Sequence, residues 1–172
     1  MVNSLTTIVL AMHGVPPKDF PRSELSELMK LHMAMDHGHG HDTNLELKTR
    51  HNELEVKIRT WKRTSQNDPF WTASQSLGAA LSRKTGYEVI VGFNEFCGPS
   101  IEEALSEAVS RSATEVIVIT PMMTPGGEHS EVDIPEAIER AKEKHPDVTF
   151  RYAWPFKETD VVSFLAEQLS NH

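Results

Sequence analysis

Three short stretches of this chain are almost unbroken runs of aliphatic and β-branched residues: Thr6 to Ala11 (TTIVLA), Glu88 to Phe93 (EVIVGF) and Glu115 to Thr120 (EVIVIT). Successive side chains of a strand point to opposite sides, so a run that is apolar at consecutive positions suits a strand covered on both faces. A fourth run, Val148 to Ala153 (VTFRYA), is more mixed. Between the later runs the apolar period lengthens to that of a helix. Ser100 and Glu103 have the spacing of a capping box, and Ala104, Leu105, Ala108 and Val109 continue one face, which predicts a helix over about 100–112. Asp133, placed shortly before Pro135, predicts a capped helix start, with Ala137, Ile138 and Ala141 on the buried side. A last helix is predicted from Asp160 through Val161, Phe164, Leu165 and Leu169. Strands alternating with helices predict an α/β fold, doubly wound and flavodoxin-like, with about four parallel strands and helices on both faces.

Residues 19–85 are too long for one crossover, which needs a single helix. Leu25, Leu28, Met29, His32 and Met35 share one helical face, and Leu47, His51, Leu54, Ile58 and Trp61 recur at helical spacings. These patterns predict a helical hairpin inserted after the first strand, over about 22–65, and a third helix from Pro69 to Lys84 that returns the chain to the sheet. Gly38 and Gly40 break the pattern at a histidine-rich tip, 37–42, which carries His37, His39 and His41. With no internal repeat and no linker, the reading is one domain over 1–172.

Composition narrows the function classes. Lys and Arg total 17 against 25 Asp and Glu, a formal net charge of −8, which disfavours a nucleic-acid-binding face. Cys97 is the single cysteine, so an intrachain disulfide and Cys-rich zinc frameworks are excluded and a reducing cytoplasm fits. The apolar run Leu5 to Met12 is too short to cross a bilayer, so no membrane span is expected. The chain is nonetheless rich in histidine, with nine.

Ligands of open parallel sheets bind beyond the carboxyl ends of the strands, where His13 and His129 are both predicted to stand. Imidazole binds divalent iron, cobalt, nickel and zinc and takes up protons near neutral pH. A histidine taken alone is more often structural, but two of them after strands, one in His-Gly and one in Gly-Gly-Glu-His, point to a metal-handling site. Gly126 and Gly127 permit backbone conformations that let a flat ligand come close. Among the nearby carboxylates, Glu131 is the chemical candidate and Asp133 reads as the helix cap. His32 and the tip histidines can gather or deliver metal or simply form a polar loop, and Met33 and Met35 can add soft ligands or fill a core.

Taken together, Met12-His13-Gly14, Phe96 through Pro99-Ser100-Ile101-Glu102-Glu103-Ala104-Leu105, Val116 to Pro121, and His129 through Asp133-Ile134-Pro135 resemble the CbiX/SirB class of sirohydrochlorin chelatases. The resemblance implies a chelatase-like fold and insertion of a divalent metal, Co²⁺ or Fe²⁺, into a tetrapyrrole such as sirohydrochlorin, in cobalamin or siroheme/heme biosynthesis. It implies that His13 and His129 bind the incoming metal. His129-Ser130-Glu131 is also similar to the His-x-Glu segment of ferrochelatases, which nominates Glu131 as a catalytic group. Ni²⁺ suits the same donors, and no organic cofactor is expected. Lys18 and Arg22 are candidates for the macrocycle's carboxylates, their alternative being ordinary solvated charge. One small domain supplies only half the walls a tetrapyrrole needs, so a homodimer is expected. Two features depart from the family pattern: His13-Gly14-Val15-Pro16 stands where His-Gly-Ser-Arg is usual, and the helical insertion is additional. The competing reading is a non-catalytic metal or tetrapyrrole carrier built on the same histidines. A flavin or nucleotide module is weaker, since neither G-x-G-x-x-G nor G-x-x-x-x-G-K-[ST] follows a predicted strand.

Overall fold

The computed structural model describes residues 5–36 and 45–171. Four parallel strands, β1 (Thr6–Met12), β2 (Glu88–Phe93), β3 (Glu115–Ile119) and β4 (Thr149–Tyr152), form one sheet in the order β2-β1-β3-β4. The most apolar run of the sequence, β1, is a central strand, and six of its seven residues are buried. Val9 and Ala11 pack toward α4 (Ile101–Ser110) and α5 (Ile134–Lys144), while Leu10 and Met12 pack on the opposite face beside Phe70 and Trp71 of α3 (Pro69–Thr85). This is the two-sided burial that the consecutive apolar positions predict, and the fold is α/β with helices on both faces.

Local signals fix several helix ends. Ser100 accepts from the Glu103 N–H while the Glu103 carboxylate accepts from the Ser100 N–H, so the capping box at the start of α4 is present. Asp68 caps α3 by accepting from the Trp71 N–H at 2.8 Å. Between β1 and α3 stand α1 (Arg22–Asp36) and α2 (Leu45–Arg59), the two helices of the expected hairpin. Leu28, Leu54, Ile58 and Phe20 form its small core. The histidine-rich tip, with His37, His39 and His41, lies outside the described residues.

The hairpin is fastened to the sheet by Arg63, which donates to the Ile58 and Val15 carbonyls at 2.9 Å, to the Phe96 carbonyl, and to the Asp68 carboxylate at 2.5 Å. Arg63 and Asp68 are almost wholly buried (6% and 0% side-chain exposure), so the pair satisfies charges that would otherwise be costly.

One expectation is corrected: Asp133 makes no side-chain cap, its backbone being already helical, within a single π-helical turn, His129–Asp133, that leads into α5. Its carboxylate is committed elsewhere, as described below. The last helix is present as expected, as α6 (Glu158–Ser170), but it buries none of its residues, and Phe164, Leu165 and Leu169 are 55%, 51% and 80% exposed. Its apolar face is real, but nothing among the described residues covers it. Among those residues no helix is long and apolar enough to cross a membrane.

Candidate metal centre

His13 directly follows β1, and Glu95 stands just beyond the end of β2. The pairing of these strands, which ends at Met12↔Phe93, is prolonged by two further backbone bonds, Asn94 N–H to Met12 O and Glu95 N–H to His13 O, both 2.9 Å. The sheet ladder therefore sets His13 and Glu95 side by side. Gly14 makes the approach possible: its φ is +95°, and a Cβ there would lie 1.9 Å from the Glu95 carbonyl oxygen.

His129 arrives from the β3–α5 connection, on the π-helical turn. The two imidazoles meet edge to face, with centroids 4.6 Å apart and planes at 89°. Glu95 lies between them, Oε2 at 4.0 Å from His13 Nδ1 and Oε1 at 4.0 Å from His129 Nε2. One ligand atom from each of His13, Glu95 and His129 lies within 4.8 Å of the other two. Ligands about 2.1 Å from an ion are at most about 4.2 Å apart, so a small side-chain rotation closes the group on a cation.

Hydrogen bonds settle which nitrogens are available. A carbonyl only accepts, so the 2.7 Å contact of His13 Nδ1 with Gly14 O places a proton on Nδ1 and the lone pair on Nε2. His129 Nδ1 donates to the Asp133 carboxylate at 2.5 Å, leaving Nε2 as the free ligand atom, in the manner of a carboxylate–histidine–metal arrangement. His13 is exposed, with 46% of its side chain open, while His129 retains 22%. The site is thus open on one side.

Glu131 is not brought to the histidine pair. It is exposed, and its carboxylate accepts from the Gly126 N–H at 2.8 Å, holding a turn in which Gly126 has φ +92°. The carboxylate that meets both imidazoles is Glu95, which sequence reasoning passed over. Its available signal was position: an acid directly beyond a strand predicted to be parallel to the first. Lys18 and Arg22 are exposed and do not line either cavity beside His129. Met33 is 57% exposed and fills no core.

Two cavities flank His129. One, of about 350 Å³, lies between the hairpin and the His13–Glu95–His129 group and is walled by His32, His51, Glu55, Arg59, Glu95 and His129. The other, of about 500 Å³, is a groove bordered by Met122, Met123, Gly127, Val161 and Leu165, with Glu128 and His129 shared between the two.

The CbiX family model matches residues 65–171, more than half of the chain, from α3 through α6. The match includes Glu95 and His129 but does not reach His13. A sirohydrochlorin cobaltochelatase of Priestia megaterium is 43% identical over 63 residues, 37% of this chain and 20% of that protein. A sirohydrochlorin ferrochelatase of the same organism is 30% identical over 81 residues, 46% of this chain and 30% of that protein. The chain therefore spans less than a third of the length of these curated relatives. The crystal structure of the sirohydrochlorin chelatase SirB from Bacillus subtilis subspecies spizizenii, in complex with cobalt, aligns with 96% of this chain and 50% of its own, at 17% identity and a TM-score of 0.48.

Proposed function

The chain belongs to the CbiX family, and we propose that it is a metal chelatase inserting a divalent cation, Co²⁺ or Fe²⁺, into sirohydrochlorin or a close tetrapyrrole relative. The observation that carries this reading is the His13–Glu95–His129 group at the carboxyl edge of the sheet, where two imidazoles and one carboxylate face an open side. Insertion replaces two pyrrole N–H protons by one M²⁺, so the site must present a dehydrated ion and accept protons nearby. His13 and His129 hold the ion through Nε2. Glu95, beside both, takes a share of the charge while the ion is held and receives one pyrrole proton as it leaves, and the imidazole nitrogen that has released the ion receives the other. Glu131 supports His129 through the Gly126 turn. The groove bordered by Met122, Met123 and Leu165 suits one apolar face of the macrocycle. Nickel is a further acceptable ion for these donors, and no organic cofactor enters the scheme.

In the same reading residues 1–172 act as one domain in the cytoplasm, and two copies pair as a homodimer. The uncovered apolar face of α6 beside the groove supports the pairing. The test is insertion itself: sirohydrochlorin with Co²⁺, Fe²⁺ and Ni²⁺ in turn, followed by the change in macrocycle absorbance. Turnover that needs His13 and His129 is expected. Undiminished insertion by the His13→Ala/His129→Ala chain would overturn the proposal.

A further inference from the structure

The groove beside His129 is lined by both limbs of the connection between β3 and α5: Met122 and Met123 on the irregular first limb, and Gly127 to Ser130 on the second, which enters the π-helical turn. Irregular chain keeps one shape only where specific bonds tie it down. Here both limbs are tied to the sheet by one short segment. The Trp154 indole N–H donates to the Met122 carbonyl at 3.1 Å, and the Tyr152 hydroxyl donates to the Ser130 carbonyl at 3.1 Å. Tyr152 ends β4, and the ladder runs on past it, with the Ala153 N–H donating to the Val118 carbonyl at 2.8 Å. Residues two apart in an extended chain point to the same side. The Tyr152 and Trp154 rings accordingly stack, with centroids 6.0 Å apart and planes at 13°. Each ring braces the other while its polar tip holds one limb.

We propose that Tyr152 and Trp154 are paired positioning residues, which together fix the spacing of the two groove limbs and with it the fit of the tetrapyrrole. The proposal rests on the reading of the groove as the seat of the macrocycle. A flat, largely apolar ligand gains most where the apolar walls already stand at the right separation, because little chain then has to be ordered on binding. Methionine side chains are flexible and adapt to what they meet, so the separation is set by the backbone of the first limb, the part that Trp154 holds. The two bonds divide the work. Ser130 adjoins His129, so the Tyr152 bond steadies that imidazole as well as the groove. Met122 adjoins no member of the His13–Glu95–His129 group in sequence, so the Trp154 bond bears on the macrocycle alone.

The test is titration of the full chain with metal-free sirohydrochlorin, followed by macrocycle absorbance, and separately with Co²⁺ in the absence of tetrapyrrole, at a temperature where every variant is folded. Trp154→Phe keeps a ring for Tyr152 to stack on but has no N–H. It should raise the Kd for sirohydrochlorin about fivefold, the worth of one hydrogen bond, and leave Co²⁺ affinity within about twofold. Tyr152→Phe should weaken the binding of both. Because the rings act as a pair, the double variant should fall well short of the roughly 25-fold loss that two independent bonds would give. In metal insertion, Trp154→Phe should raise the KM for sirohydrochlorin while kcat holds, a split that general loosening of the fold would not produce. Unchanged sirohydrochlorin affinity in Trp154→Phe, an equal loss of sirohydrochlorin and Co²⁺, or fully multiplicative effects in the double variant would each overturn the proposal. A wild-type chain that binds no sirohydrochlorin would overturn it together with the chelatase reading. One that binds sirohydrochlorin in a Trp154-dependent way yet inserts no metal would instead reject the chelatase reading and leave the positioning pair standing.

Discussion

His129 Nδ1 donates to the Asp133 carboxylate at 2.5 Å across a single π-helical turn. The bond orients the ring and fixes the proton on Nδ1, so that Nε2 is the atom turned to an ion. Asp133→Ala should weaken Co²⁺ binding at the His13–Glu95–His129 group by about 10–100-fold. Asp133→Asn should do less, since it keeps an acceptor but not the charge. Titration of both variants with Co²⁺ checks the order.

Glu95 and Glu131 separate cleanly. Glu95→Gln removes the carboxylate shared by both imidazoles and should slow metal insertion by about 10²-fold or more, the usual range for a proton acceptor at a reacting group. Glu131→Gln keeps an oxygen for the Gly126 N–H and should cost less than about tenfold. The reverse order of rates would restore Glu131 as the proton acceptor.

A methyl group at position 14 tests the approach of the two strand ends. Gly14→Ala places a Cβ against the Glu95 carbonyl, at a φ of +95° that alanine seldom adopts. The chain should lose Co²⁺ affinity and thermal stability together, whereas a fall in stability with unchanged affinity would mean that Glu95 is positioned by something else.

Breaking the buried Arg63–Asp68 pair should be among the most damaging single changes. Arg63→Met strands a carboxylate with no exposure and unties the carbonyls of Val15 and Phe96, which flank His13-Gly14 and follow Glu95. A loss of about 3–5 kcal/mol is expected, with a melting temperature lowered by about 2–4 °C for each kcal/mol.

Tyr152 ties the sheet to the π-helical turn that carries His129, its hydroxyl donating to the Ser130 carbonyl at 3.1 Å. Burial pushes this phenol up to about 12 from the ordinary 10.0. The folded chain thus holds the proton more tightly than the unfolded one, so this contribution to stability is whole below about pH 10 and disappears between about pH 10 and 12. Melting curves across that range should fall more steeply for the wild type than for Tyr152→Phe.

Much of the fold was legible because it depends on local chemistry. The consecutive apolar residues of β1, the Ser100–Glu103 box and the helical spacing around Leu54 and Ile58 each report their own surroundings. Asp133 misled because Asp before Ile-Pro satisfies the capping pattern, and only the three-dimensional turn shows that His129 claims the carboxylate first. Glu95 was hidden for a different reason: its contact with His13 is set by strand register between segments some eighty residues apart, which no local period encodes.

The prolonged β1–β2 ladder also has a mechanical meaning. It makes His13 and Glu95 a fixed jaw, as stiff as the sheet that carries them, while His129 rides on a separate turn as the movable one. In the proposed chelatase, an ion of different radius would then be accommodated by His129 alone, so release would begin with a swing of His129 and leave His13 and Glu95 in place for the next ion.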